Sequence, residues 1–442
     1  MRTTYSRLAI ALGVFVQILP GIAASERGVE GPERAPQFVL PGSAASDTGL
    51  RCTRQVLTEL GWRFASGHSA RLETYAGEPC DRRDLADAHS RGDLNATLPA
   101  PGADSTQLAT DLAALLHEPA THCAYAMQLG SAARRAADRL IANRDFRFFA
   151  LQTGWIGFGL GGARRDGWES IRAFGRGFQP NAAPSRAIES FYTGTVRAEC
   201  GVGRQIAQYA SFYELFGATG FDRAFAREEI VVGTFNQLHT TRSVLLGSRA
   251  GEFTRDADAR QTSRQGLQAF SGLPGFIEHV FHPSTLDDIA NQAENFVVYR
   301  VSPDAAAALR RVGGFEYYNR RNRELWELSR TIDLSAQRIY ERVLYERDPA
   351  LRATIAPEKL RVIEQMDAIL ADPFYRGFEV YVHPRGVQPV GYHLARLIDR
   401  NPRTPYRIQL GFHNLHTTIY ARWIAQRLAD CEETTIPAAN QR

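Results

Sequence analysis

Lysine is nearly absent from this 442-residue chain: of its 52 basic residues only Lys359 is a lysine, and the rest are arginine. A GC-rich coding sequence is the plain explanation, and the chemistry developed below supplies a second. The formal net charge is +4, or +2 without Arg2 and Arg7. That excludes the strongly basic balance of a nucleic-acid-binding chain, so no nucleic-acid partner is expected. Long apolar runs are also missing. Beyond the N-terminal segment no stretch of about eighteen uninterrupted apolar residues occurs, which leaves no membrane-spanning candidate there. Cysteine and histidine show no zinc spacing, H-E-x-x-H is absent, and there is no G-x-S-x-G to begin a serine triad. Neither a metal nor a cofactor is therefore expected. The glycine run "GFGLGG" at residues 157–162 fits G-x-G-x-x-G, but "ARRDGW" follows it where a dinucleotide site needs an apolar helix, so it reads as a loop.

What the chain does have begins at its N-terminus. Arg2 and Arg7 flank an apolar run from Leu8 to Ala23 that ends in the small residues "GIAAS". This is the pattern of a secretory signal peptide over residues 1–24, and the mature chain is expected to be secreted or periplasmic. Export makes the cysteines informative, because oxidising compartments pair thiols and five is an odd number: Cys52, Cys80, Cys123, Cys200 and Cys431. Cys52 and Cys80 bracket an N-terminal loop, and Cys123 and Cys431 lie outside the central segment. The expected bridges are thus Cys52 with Cys80 and Cys123 with Cys431, leaving Cys200 as the free thiol.

A Pro-, Gly-, Ala- and Ser-rich leader without periodicity covers residues 25–50. A helical N-terminal region spans 51–144, where 106–116 and 132–144 carry apolar residues at spacings of three and four. Residues 145–330 alternate short helices with β-branched runs such as "EIVVGTF" (229–235), "GFIEHVF" (275–281) and "NFVVYRV" (295–301). That is the pattern of an α+β core. Helices over 322–345 and 357–371, strands over 378–383 and 406–412, and a last helix to Cys431 make residues 331–442 an α+β C-terminal extension.

The candidate chemistry sits in "RAECGVGRQIAQYASFYELFG", residues 197–217. Ile206, Tyr209, Ala210, Tyr213 and Phe216 form one apolar stripe of a helix closed by Gly217. Cys200 stands at the N-terminal end of that helix. There, unpaired N–H groups and the helix macrodipole favour a thiolate, as in papain-like enzymes.

Residues 183–235 contain Pro184 to Ile188 ("PSRAI"), the Glu199–Cys200 pair, a helix, the segment Phe221 to Phe225 and the apolar Ile230 to Val232; "AEN" at 293–295 precedes a further apolar run. This succession resembles the core of the spore-coat type of protein-glutamine γ-glutamyltransferase, a small transglutaminase, over residues 145–330. The resemblance implies a papain-like α+β fold. In it a cysteine attacks a glutamine carboxamide, releases ammonia and passes the acyl group to a lysine amine, so the partners are proteins bearing Gln and Lys. It also implies Cys200 as nucleophile and Glu294 as catalytic acid. The family places its glutamate at the start of one strand and a histidine near the end of the next, about thirteen residues on. This sequence has Ala307 there, and no histidine between His282 and His383. His282, at the end of the strand before Glu294, is therefore the expected substitute, with His279 and His239 as competitors. Two other functions remain open: a deamidase or amidase with water as acceptor, and a catalytically silent binding module. In the first reading, lysine scarcity keeps a lysine-joining enzyme from linking itself.

Overall fold

The structure is a computed structural model. It describes residues 45–65, 69–72, 94–99, 104–118, 121–148, 167–171, 177–233, 242–246, 272, 274–279, 293–312, 314–334, 339–398, 405–410 and 414–435. The expected signal peptide, most of the expected leader, the 157–162 glycine run, Cys80, His239 and His282 lie outside these residues.

Helix α1 (Asp47–Glu59) starts where the Ser46 hydroxyl accepts the Gly49 N–H, a standard N-cap that satisfies an otherwise unpaired donor. A small antiparallel sheet of β1 (Trp62–Phe64), β2 (Ser69–Leu72) and β3 (Leu94–Thr97) follows. Next come α2 (Ser105–His117) and α3 (His122–Ala142), close to the helices expected from periodicity. Strands β4 (Phe146–Phe148), β5 (Trp168–Ile171) and β6 (Gly177–Pro180) lead to α4 (Pro184–Thr193), β7 (Val196–Ala198) and α5 (Cys200–Ala224). β4 and β7 pair in parallel, Phe148 opposite Ala198, so the chain enters α5 directly from a strand.

Of the strand expected over 229–235, the described residues 229–233 form β8 only at Val232–Gly233, and 234–235 lie outside the described residues. Its first residue, Glu229, instead ends a 3-10 turn, Arg227–Glu229, where it accepts the Ala226 N–H and pairs with Arg422. These tertiary partners outweigh the β-branched pattern.

After β9 (Pro274–His279) and β10 (Ala293–Val301) come α6 (Pro303–Arg311), α7 (Phe315–Thr331) and α8 (Pro357–Leu370). Then follow β11 (Phe378–Val382), β12 (Gly386–Pro389), α9 (Val390–Ile398), β13 (Tyr406–Leu410) and α10 (Asn414–Thr435). The central sheet is antiparallel throughout, in the order β12-β11-β10-β9-β13. Its strands β11, β12 and β13 come from residues 331–442, the stretch the sequence sets apart as an extension, and β11 and β13 pair directly with β10 and β9.

Alternation along the strands decides what each face covers, because successive side chains point to opposite sides. Val297 and Tyr381 join a core built with α1, α3, α5 and α10. Phe296, Val298, Val380 and Val382 join a second core with α6, α7, α8 and α9. Each fully buried aromatic or aliphatic side chain in these layers contributes roughly 1.5–3 kcal/mol of transfer free energy. The molecule is thus a mixed α+β fold in which one antiparallel sheet separates two helical layers. Among the described residues no helix is long and apolar enough to cross a membrane.

Candidate functional site

Cys200 is the first residue of α5 and is partly exposed. The helix runs from there along the first core and kinks at Gly217, whose φ of 70° is open to glycine at little cost. At its start the backbone donors are already taken. Glu199, the N-cap residue, turns its carboxylate back to accept the Gly201 N–H at 2.6 Å and the Val202 N–H at 2.7 Å.

This reverses the thiolate expected of Cys200. Burial, and then the Glu199 charge beside it, push the thiol up to about 11, against opposing hydrogen bonds from Asn295. A helix N-terminus lowers a thiol pKa only where its donors and dipole are left for the sulfur. Here a neighbouring carboxylate uses them.

The second residue of the site is Asn295, whose Nδ2 donates to Cys200 Sγ at 3.5 Å. It stands near the start of β10, opposite Phe276 of β9. Glu294, one position earlier, belongs to the alternate face of the strand. Its buried carboxylate is held by Arg385 Nε at 3.2 Å, by His393 Nδ1 at 2.5 Å and by Arg396. The structure therefore places Asn295, and not the expected Glu294, against the thiol through a hydrogen bond. Glu294 lies in a buried ionic cluster with α9. Burial and the nearby Arg385 charge hold His393 down to about 3, so its imidazole is neutral.

The third residue is His383, just past the end of β11. It packs on the first turn of α5: a β-carbon on Gly203 would lie 2.4 Å from His383 Cβ and 3.1 Å from its Cδ2. Its ring stacks on Phe146 at 3.8 Å between centroids, and its Nε2 is buried without a hydrogen-bond partner. Burial holds its pKa down to about 4, although the carbonyls of Arg147 and Ala198 favour a proton on the ring. The Cys200 thiol and the His383 imidazole are accordingly both neutral.

Of the expected histidines, His282 and His239 lie outside the described residues, and of His279 only the backbone, paired with Tyr406, is described. Ala307 sits on α6, exposed, because helices occupy the chain between β10 and β11. Asn295 and His383 were both visible in the sequence, one inside "AEN" and the other ending "FEVYVH". What marks them as site residues is the pairing of β10 with β11.

The cysteine pairing differs from the expectation as well. Cys52 is bonded to Cys431, with Cα atoms 5.7 Å apart, so neither expected bridge is formed as predicted. The expectation kept Cys52 within the N-terminal loop it brackets, but α1 and α10 lie side by side in the first core. Cys200 is the one free cysteine among the described residues, where the side chain of Cys123 is not included. Among them, too, no three His, Cys, Asp or Glu side chains gather as a metal-holding group. The chain matches no protein-family model, no curated protein and no solved structure.

Proposed function

We propose that the chain is a papain-like cysteine acyltransferase that joins protein glutamine side chains to lysine amines, with Cys200 as nucleophile. The observation that carries this reading is the convergence of three groups at one helix start: the partly exposed Cys200, the Asn295 amide on its sulfur and His383 packed over the same turn. His383 fits the resemblance in strand order, though not in its spacing of about thirteen residues: β11 is the next strand after Glu294 in chain order and His383 follows its end. It takes the role expected of His282.

The neutral imidazole is the general base. As the sulfur attacks the carboxamide carbon, the thiol proton passes to His383, and from there to the departing ammonia as the C–N bond breaks. Neutral His383 then receives a proton from the incoming amine as it opens the thioester and restores the thiol. Asn295 supplies the fixed polar partner that orients the sulfur. Lysine scarcity fits this chemistry, and Lys359 is engaged through Nζ with the Asp333 carbonyl at 2.7 Å. The Cys52–Cys431 bond fits an exported enzyme.

One observation favours a second reading. A thiol raised to about 11 is what a catalytically silent module would carry. Incorporation of a fluorescent primary amine into dimethylated casein separates the readings. The wild-type chain should incorporate it, and Cys200→Ala and His383→Gln should not. Ammonia release without amine incorporation moves the assignment to a deamidase. Neither product assigns the silent module.

A further inference from the structure

The backbone pairing of β10 with β11 ends at Val297 opposite Tyr381. Asn295 and His383, the two side chains that meet the start of α5, both lie beyond that last pair. They are not held alike. Asn295 remains in register with β9, opposite Phe276, and Glu294 is opposite Ile277. His383 belongs to the turn that leads into β12, a turn closed by the Arg385 N–H on the Val382 carbonyl at 2.7 Å and by the pair Val382 and Gly386. Those bonds fix the shape of the turn, but they do not fix its distance from β10.

A side-chain tie crosses that gap. Arg385 Nε donates to Glu294 Oε1 at 3.2 Å, from the same three-residue turn that carries His383. The carboxylate it grips is buried and has two further partners from α9, His393 at 2.5 Å on Oε2 and Arg396 on Oε1. A charge-assisted bond from a planar guanidinium to a buried carboxylate is directional and strong. We infer that Arg385 is a positioning residue: by fastening the β11–β12 turn to Glu294 it sets the spacing between Asn295, which donates to the Cys200 sulfur, and His383, which packs on Gly203 of the same helix turn. This gives the cluster around Glu294, on the far face of the sheet, a part in the site without contact with substrate. The inference rests on the thiol chemistry proposed above.

The test compares Arg385→Ala and Arg385→Lys with wild type in the full chain. Three readouts are needed: amine incorporation resolved into kcat and KM, the pH profile of Cys200 alkylation by iodoacetamide followed on its peptide by mass spectrometry, and the melting temperature. Arg385→Ala should lower kcat tenfold or more with KM within about threefold, and should shift the alkylation profile of Cys200. Arg385→Lys, which can still reach the carboxylate, should recover part of both. A wild-type kcat and alkylation profile in Arg385→Ala overturns the inference. So does an equal loss in both variants that merely follows a fall in melting temperature, which is the mark of a structural role alone. If wild type shows no transfer at all, the proposed function fails by itself. The alkylation profile then still decides: a shift in Arg385→Ala keeps the tie, and an unmoved profile removes it.

Discussion

Gly203 and His383 are in such close apposition that a single added β-carbon on the glycine would come 2.4 Å from the histidine β-carbon. Real Cβ atoms do not approach so closely, so any residue but glycine there displaces the imidazole or the helix. Gly203→Ala is expected to cost about 1–3 kcal/mol as an overpacked core substitution. It should also lower amine incorporation at least tenfold, read as activity at matched folded fraction. Full activity in this variant would show that His383 is not needed where it lies.

Cys200 should alkylate slowly at neutral pH, because its thiol is pushed up to about 11 by burial and by Glu199. The iodoacetamide rate should climb roughly tenfold per pH unit, following the thiolate fraction, with no plateau before about pH 10. Glu199→Gln removes the neighbouring charge and should move the profile to lower pH. A plateau below pH 8 in the wild-type chain would contradict the raised, carboxylate-flanked thiol.

Acid should destabilise the fold through its buried neutral histidines. Burial holds His122 and His383 down to about 4 and His393 to about 3, each below the ordinary 6.5. Between these values the unfolded chain binds more protons than the folded one, so stability rises with pH across the window. It is fully present above about pH 6.5 and is lost as pH falls toward 4. The expected loss is on the order of 2 kcal/mol per histidine by pH 5, measured by urea unfolding at pH 7.5 and 5. An unchanged midpoint would rule out this burial.

Peptide mapping without reductant should recover Cys52 joined to Cys431. Cys431→Ala should lower unfolding free energy by about 2–4 kcal/mol, since the bond closes a very long loop. Recovery of Cys52 with Cys80 would show a different arrangement of α1 and α10.

Periodicity made the helices legible, and α2, α5, α8 and α10 lie close to where apolar spacing puts them. Strands β9, β10, β11 and β13 were also readable as short β-branched runs, whereas their order was not. That order decides the site. Nothing near Cys200 in sequence points to His383, because helices intervene between the two strands that bring Asn295 and His383 together. The failed thiolate expectation has a local cause. A helix start looks electropositive until the residue before it, here Glu199, folds its own carboxylate onto the free donors. The cystines were misjudged because a loop bracketed by two cysteines in sequence says nothing of the last helix, which returns to the first and brings Cys431 to Cys52.

That return has a consequence for proteolysis. Because Cys52 and Cys431 are joined, the chain between them is topologically a ring. A protease that cuts once in any loop of the ring opens it without releasing a fragment, and the product migrates as a single species until a reductant is added. A molecule nicked once between Cys52 and Cys431 would therefore stay in one covalent piece.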